Sequence, residues 1–230
     1  MKPKRSAVKG SSSTAPRKVF IVEDHPVFRE GLAQIINGEG DLTVCGEAGD
    51  AEHALAVIPG LKPDLVLLDI TLPGKSGLEL IKELRALNMS VKLLVLSMHD
   101  EALYADRVLR AGGDGYIMKG EDPEEVVHAI RDVLGGHIYV SEQVLARGKE
   151  AAPSRGSALK SRPLAQLADT ELEVMELLGE GKSNLEIAHQ LHIPPISVAA
   201  YCTQISGKLN LKTTNALIRY AVCWVEGGKD

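Results

Sequence analysis

Three features are scarce or missing in this sequence of 230 residues: paired cysteines, an excess of positive charge and long apolar runs. The three cysteines, Cys45, Cys202 and Cys223, show no C-x-x-C spacing and cannot all pair. This argues against a disulfide scaffold or a zinc site and favours a reducing compartment. No apolar run reaches the roughly 18 residues that a membrane span needs, and the N-terminus lacks the apolar core of a signal peptide. We therefore expect a cytoplasmic protein with no membrane partner.

The charge balance and the length bound the remaining possibilities. The formal net charge is −5 at pH 7, so any binding of nucleic acid must come from a local patch. The length is sufficient for two domains that each bury a core. Residues 1–17 are rich in Lys, Arg and Ser and poor in large apolar side chains, which is typical of a disordered tail. Alternatively, the basic residues of this tail could contact DNA phosphates.

Segments typical of strands and helices alternate between residues 18 and 135. Strands are predicted at 19–22, 43–48, 65–68, 93–97 and 116–118, and a helix follows each of them. The second of these helices is expected to end near Pro59 and Gly60, because proline interrupts a helix. Five repeats of a strand and a helix predict a doubly wound, five-stranded parallel sheet of the α/β class.

The predicted strand at 65–68 is an uninterrupted apolar run that ends on Asp69. Such a run suits a strand that is buried on both faces, and Pro73 with Gly74 breaks it. In open α/β sheets, ligands bind at the carboxyl ends of the strands, so Asp69 is placed for chemistry. The alternative is that Asp69 only caps the turn that follows.

Three other predicted strands also end in polar side chains: Glu23 with Asp24, Ser97, and Lys119. Clustered carboxylates need a counter-charge to stay ionised, and a divalent cation with oxygen ligands, most simply Mg²⁺, would supply it. Lys119 would neutralise the remaining charge or an incoming phosphoryl group. The sequence therefore predicts a site for Mg²⁺ and phosphate chemistry at this edge.

Together with Tyr116, these residues resemble the receiver domain of two-component response regulators. The resemblance implies a flavodoxin-like sheet and a phosphoryl group that passes to Asp69 from a phosphohistidine on a sensor histidine kinase. It also implies that Asp24 and Asp69 hold Mg²⁺ directly, with the backbone carbonyl of Thr71 as a further ligand and Glu23 acting through water. Beyond accepting the phosphoryl group and residual autophosphatase activity, we expect no enzyme activity.

The resemblance assigns roles to three further side chains. Lys119 would pair with the phosphoryl oxygens, Ser97 would bond one of them, and Tyr116 would then turn inward behind Ser97. An aromatic residue at a strand end can also be plain packing, so Tyr116 has two interpretations. Gly120 departs from the receiver pattern and is expected to loosen its loop without removing chemistry.

The composition changes after the receiver-like segment. An interdomain linker is predicted at 136–163: residues 136–144 still carry a small apolar patch, and residues 147–163 contain Ala, Ser, Lys, Arg and Pro with few large apolar groups. From 164 to 228 the pattern is helical, with Asp169 or Thr170 as candidate cap of a first helix and Ser183 as candidate cap of a second. A third helix is predicted from about Ile196 to Leu209 and a fourth from about Thr213 to Trp224. Four short helices with a tight turn before the third predict a small all-α helix-turn-helix domain.

The segments Gly181-Lys-Ser-Asn-Leu-Glu186-Ile-Ala and Ser197-Val198 resemble the LuxR-type helix-turn-helix. Both halves of the chain together resemble a response regulator of the NarL/FixJ type. The resemblance implies that the third helix reads the major groove of DNA and that the fourth packs against a second subunit, as in a homodimer formed on activation.

The predicted reading helix departs from this family where DNA would be contacted. Pro194 stands at the cap, Tyr201 replaces a histidine, and no positive charge occurs before Lys208. From Arg162 to Asp230, six bases face eight acids, a net charge of −2. Since phosphate neutralisation provides most non-specific affinity, DNA binding should be weak. The candidate DNA contacts are Lys182, Ser197, Tyr201, Thr203, Gln204, Lys208 and Lys212.

These observations favour a phosphorylation-controlled transcription regulator. A second hypothesis is that the helical domain has lost DNA and binds a protein partner instead. A third, a phosphatase with Asp69 as nucleophile, is disfavoured because that chemistry commonly needs a carboxylate two residues on, where Thr71 stands.

Overall fold

The computed structural model describes residues 15–141, 144 and 164–226. Most of the predicted tail and most of the predicted linker therefore lie outside the described residues. None of the described helices is long and apolar enough to cross a membrane.

The first domain is a five-stranded parallel sheet with helices on both faces, which confirms the predicted doubly wound fold. Its strand order is β2-β1-β3-β4-β5, and β3 lies at the centre. The elements are β1 (Arg17–Val22), α1 (Pro26–Asn37), β2 (Leu42–Ala48), α2 (Ala51–Leu61), β3 (Leu65–Leu68), α3 (Gly77–Ala86), β4 (Lys92–Ser97), α4 (Glu101–Ala111), β5 (Gly115–Met118) and α5 (Pro123–Leu134).

Alternate side chains of the strands bury two apolar layers. On one face, Val66 packs with α2, α3 and α4. On the other face, Leu67 packs with α1 and α5. All four residues of β3 are buried, as expected for a strand with helices on both sides. Because β3 is the central strand, Asp69 lies in the middle of the carboxyl edge of the sheet.

The second helix ends at Leu61, next to the predicted end at Pro59 and Gly60, and Pro59 lies inside its last turn. A proline this close to a C-terminus removes one hydrogen bond only. Ile58 is fully buried, and a Cβ added at Gly46 would lie 2.7 Å from Leu61 Cδ1, which shows how closely that side chain packs on β2. Packing of α2 on the sheet thus outweighs the effect of Pro59.

The second domain consists of a short 3₁₀ helix (Leu164–Gln166) and four helices, α6 (Asp169–Gly179), α7 (Asn184–Gln190), α8 (Pro195–Lys208) and α9 (Thr214–Glu226). This is the predicted helix-turn-helix arrangement. The α7 helix begins with a capping box, in which Ser183 and Glu186 bond each other's backbone N–H groups. The turn before α8 places His192 at φ 52.

The predicted cap of α6 is wrong. Ala168 occupies the N-cap position, and its backbone N–H donates to Glu171 Oε2 at 2.6 Å. Asp169 is the first helical residue, and its carboxylate is engaged by the other domain rather than by its own helix. Contacts with the first domain therefore engage the Asp169 side chain, which the local sequence favours as the cap of α6.

Candidate functional site

The carboxyl edge of the sheet brings the predicted phosphate-site residues together. Asp69 leaves β3, Asp24 follows β1, Ser97 ends β4 and Lys119 follows β5. All four line one cavity of about 570 Å³, together with Thr71. The sequence prediction of a single polar cluster is thus matched by the geometry.

Lys119 holds the cluster together. Its Nζ atom lies 2.7 Å from Asp69 Oδ2 and 2.6 Å from Glu23 Oε2, and it also lies over the Phe28 ring at 4.9 Å from the centroid. Burial by itself would lower the pKa of Lys119, but the negative charge of Asp69 and Glu23 outweighs it, so the pKa is raised. The ammonium is therefore a permanent cation beside Asp69.

The other oxygen of Asp69 is positioned by the backbone. Asp69 Oδ1 accepts the N–H of Ile70 at 2.6 Å. Helix α3 approaches the same peptide closely, because a Cβ added at Gly77 would lie 2.0 Å from the Asp69 carbonyl oxygen. Gly77 N–H in turn donates to the Ile70 carbonyl at 2.7 Å. Only glycine permits this approach.

The acidic residues at the end of β1 fit a cation. Glu23 is buried, and its pKa is raised by burial and by the neighbouring Asp69 charge. Asp24 Oδ1 is buried and receives no hydrogen bond from the described residues, although His25 Nδ1 lies 2.8 Å away outside hydrogen-bonding geometry. Ligand atoms of Glu23, Asp24 and His25 lie within 4.8 Å of one another. A buried carboxylate oxygen without a donor is the kind of atom that a hard cation satisfies.

Tyr116 already points inward in this structure. It is 1% exposed, and its hydroxyl donates to the backbone carbonyl of His99 at 2.6 Å. Burial raises the pKa of this phenol far above its ordinary value. Ser97 is also buried, and its carbonyl accepts the Lys119 N–H at 2.9 Å. The structure thus places Tyr116 inward, the position that the resemblance assigns to it once a phosphoryl group is bound.

The helical domain forms the opposite wall of the cavity, through side chains of α6 and α7. His99 connects the two sides: its Nε2 lies 2.8 Å from Thr71 Oγ1 and its Nδ1 lies 2.8 Å from Glu176 Oε2. The Tyr104 hydroxyl donates to the same Glu176 oxygen at 3.2 Å. Burial opposes protonation of His99, but Glu176 outweighs it and the pKa is raised.

A second set of contacts fastens the start of α6 to α4. Arg107 donates to Asp169 Oδ1 at 2.9 Å and to the carbonyls of Leu167 and Leu164 at 3.0 and 2.8 Å. Lys82 adds an ion pair with Asp169 Oδ2 at 2.8 Å. One guanidinium thus satisfies two carbonyls and a carboxylate of the other domain.

Glu173 is buried behind this interface, and few polar contacts offset the cost of burying its carboxyl group. It is 3% exposed, and its Oε1 has no hydrogen-bond partner among the described residues. Burial raises its pKa to about 8, with His99 acting in the opposite direction and Asp169 adding to the rise. Burial therefore favours the neutral form of this acid.

Three of the predicted DNA contacts already have partners within the helical domain. Lys208 Nζ lies 2.5 Å from Glu171 Oε2, which is buried. The Thr203 hydroxyl donates to the Ala199 carbonyl at 3.0 Å, one turn earlier. Tyr201 is half-buried and packs against the apolar core. Thr203 and Lys208 are nevertheless exposed, so their contacts within the domain would compete with contacts to DNA.

The remaining candidates differ in exposure. Gln204 and Lys212 are exposed, whereas Ser197 is half-buried. Lys182 is exposed but lines the cavity shared with the first domain. The predicted DNA contacts therefore do not form one continuous basic surface.

Sequence reasoning missed the residues that join the two domains: His99, Arg107, Asp169, Glu176 and His192. The partners lie far apart in the chain, by 62 positions for Arg107 with Asp169 and 77 for His99 with Glu176. The only available signal was the position of His99, two residues after Ser97 at a strand end.

Two protein families match the chain. The response regulator receiver domain matches residues 19–131, and the luxR family of bacterial regulatory proteins matches residues 165–221. These two matches fall on the sheet domain and on the helical domain, respectively.

Individual relatives cover nearly the whole length. The chain is 31% identical over 202 residues to the nitrate/nitrite response regulator protein NarL of Escherichia coli strain K12, covering 88% of this chain and 93% of that protein. It is 34% identical over 209 residues to the oxygen regulatory protein NreC of Staphylococcus aureus strain RF122, covering 89% and 96%.

Solved structures share the fold. A LuxR-family two-component response regulator from Aurantimonas is 32% identical with a TM-score of 0.55, covering 57% of this chain and 94% of that one. RcsB of Salmonella enterica serovar Typhimurium, bound to promoter rprA with phosphomimetic BeF3−, has a TM-score of 0.61 at 24% identity, covering 90% and 99%.

Proposed function

Because this chain belongs to the NarL/FixJ-type response regulators of two-component systems, we propose that a phosphoryl group on Asp69 controls it and that it regulates transcription by binding DNA. The receiver domain and the LuxR-type domain are both present in this chain. The proposal concerns the residues that perform each step, the metal and the partners.

The observation that carries the proposal is the setting of Asp69. Its carboxylate lines an open cavity, with one oxygen on Lys119 and the other on the Ile70 N–H. In the proposed step, an Asp69 oxygen attacks the phosphorus of a phosphohistidine on a sensor histidine kinase. A P–O bond forms, the P–N bond breaks, and the imidazole leaves with the electron pair. Phosphoryl transfer depends mainly on positioning and charge neutralisation, which these neighbours provide.

We propose Mg²⁺ as the cation of this site. Asp24 and Asp69 would hold it, with the Thr71 carbonyl as a further ligand and Glu23 acting through water. The buried Asp24 Oδ1 without a donor supports this assignment. When bound, the ion supplies positive charge to the transferring phosphoryl group.

Two side chains contact the phosphoryl group in this proposal, and a third, Tyr116, packs behind them. Lys119 pairs with its oxygens, and Ser97 donates a hydrogen bond to one of them. Tyr116 fills the space behind Ser97 and bonds the His99 carbonyl. Since the His99 ring contacts Glu176 of the helical domain, a shift of Ser97 is passed to that domain.

We assign DNA as the partner of the helical domain, with α8 in the major groove and α9 packing against a second copy on paired half-sites. We place the protein in the cytoplasm, where a sensor kinase can reach it. Its only proposed chemistry is acceptance of the phosphoryl group and residual autophosphatase activity.

A protein-interaction role for the helical domain is the second candidate. The ion pair between Lys208 and Glu171 favours it, because it leaves α8 without an unpaired cation. In that case phosphorylation would control binding of a protein partner.

Phosphorylation of single variants tests the nucleophile. Intact-mass measurement after incubation with Mg²⁺ and a small phosphodonor should show one added phosphoryl group on the wild type and none on Asp69→Asn. Asp64→Asn is the matched control, because Asp64 lies at the opposite end of β3, where it accepts the Lys18 N–H. A phosphoryl group on Asp69→Asn would overturn the assignment.

A further inference from the structure

The outward face of α8 carries small and apolar side chains. Exposed residues recur along this face at helical spacing. The side chain of Ile196, for example, is 77% exposed. The face consists of Ile196, Ala199, Ala200, Thr203, Gln204 and Gly207. None of these side chains is charged, so this surface offers methyl groups rather than cations.

The polar groups near this face are already engaged. The Thr203 hydroxyl proton goes to the Ala199 carbonyl, which leaves its methyl group as the free end of the side chain. Pro194 and Pro195 contribute no N–H to the start of the helix. The Ser197 N–H donates to the Pro194 carbonyl at 2.9 Å. The N-terminus of α8 is therefore a poor phosphate site, unlike most helix N-termini.

Small side chains also decide what can approach. Ala199, Ala200 and Gly207 let the helix backbone come close to a surface, as entry into a DNA groove requires. A protein-docking face would need several large anchors, and within α8, which is described in full, Ile196 is the one large exposed apolar side chain. The face therefore fits the floor of a groove better than a protein pocket.

We infer that α8 reads thymine-rich half-sites by contact with thymine methyl groups, through Ile196, Ala199 and Thr203. This inference rests on the proposed DNA binding. The thymine 5-methyl group is the apolar feature that the major groove displays, and Ala and the Thr methyl are suited to it. Specificity then comes from apolar contact, with little help from phosphate neutralisation.

The charge distribution leads to the same expectation for salt. Lys208 is exposed but ion-paired with Glu171, and the other bases of the described helical domain are Lys182, Lys212 and Arg219. Each phosphate neutralised adds about −0.9 to the slope of log affinity against log salt concentration. We expect a slope no steeper than about −3 for each bound domain.

The experiment begins with selection from a random DNA pool by full-length, BeF3−-activated protein. Thymines of the selected half-site are then replaced one at a time by uracil, which removes only the 5-methyl group. Each contacted methyl group should be worth about fourfold in affinity. Ile196→Ala should bind the thymine and uracil sites with nearly equal affinity at its position. Leu185→Ala, an equally exposed leucine on α7, should keep the wild-type discrimination.

The possible outcomes distinguish failure of this inference from failure of the proposed DNA binding on which it rests. Failure to enrich any site, with activation verified, would overturn the proposed DNA binding itself. An enriched site that is insensitive to uracil, or a slope much steeper than that expected, would overturn the methyl-reading inference and leave DNA binding intact.

Discussion

His192 Nε2 lies 3.5 Å from Asp24 Oδ2, so the turn of the helix-turn-helix contacts a carboxylate at the proposed cation site. His192 adopts a left-handed conformation in that turn. The docked helical domain and the proposed cation would therefore both contact the Asp24 carboxylate.

We predict that His192→Ala binds Mg²⁺ more tightly than the wild type, by no more than about fivefold, because the pair is partly exposed and worth at most about 1 kcal/mol. Titration calorimetry of the full chain with Mg²⁺ measures this. The matched control is His189→Ala, whose ring lies 6.3 Å from that of His192. Equal or weaker Mg²⁺ binding by His192→Ala would show that the contact does not compete with the ion.

Arg107→Ala should loosen the docked arrangement. It removes a partly buried guanidinium from two carbonyls and from Asp169, and each hydrogen bond to a charged group is worth about 1.5–3 kcal/mol. Small-angle X-ray scattering should show a larger radius of gyration. Arg110→Ala, one turn later and in an exposed pair with Asp106, should leave the radius unchanged. Identical scattering from both variants would contradict the role of Arg107.

Glu173→Gln should stabilise the helical domain increasingly as the pH rises. The folded pKa of about 8 lies above the ordinary value of 4.5, so the folded domain holds a proton that the unfolded chain has lost. Within that window, this group lowers the free energy of unfolding by roughly 1 kcal/mol for each pH unit. Glutamine does not titrate, so the variant should lose this slope.

Urea unfolding at pH 5.5, 6.5 and 7.5 measures that effect, followed by the fluorescence of Trp224, the single tryptophan. Glu180→Gln is the exposed control on the same domain. If the advantage of Glu173→Gln were the same at every pH, the buried acid would not be the source.

Gly77→Ala should destabilise the receiver by about 1–3 kcal/mol, the usual cost of overpacking. The added methyl group would meet the Asp69 carbonyl oxygen at 2.0 Å and displace α3 or the phosphoacceptor loop. Gly31→Ala is the control: a Cβ there meets nothing within 4 Å, and its position inside α1 predicts a gain of about 0.5–1 kcal/mol. Thermal unfolding followed by circular dichroism compares the two, and a stable Gly77→Ala would refute the close approach.

In the docked arrangement the outward face of α8 is exposed, as the accessibility of Ile196 shows. The receiver is contacted by α6 and by the turn before α8, through Glu176 and His192. The receiver therefore does not cover the outward face of α8 in this arrangement. We expect phosphorylation to act on how two helical domains are brought together.

The sequence alone predicted the five β/α repeats, the helix-turn-helix and the cluster of Asp69, Asp24, Ser97 and Lys119. Each of these predictions depends on local patterns: apolar runs of strand length, helical spacing, and polar residues where a strand ends. In a parallel sheet, those ends meet at one edge, so local order was enough to bring the residues together.

Tertiary structure alone decided the interface between the domains and the state of the basic residues. Arg107 and Asp169 form an ion pair although they are 62 positions apart in the sequence, and the Lys208 ammonium is paired with Glu171 rather than with a ligand. The same effect moved the cap of α6 from Asp169 to Ala168. Ion pairs between distant segments leave no periodicity in the sequence, because they depend on how residues far apart in the chain pack in the folded protein.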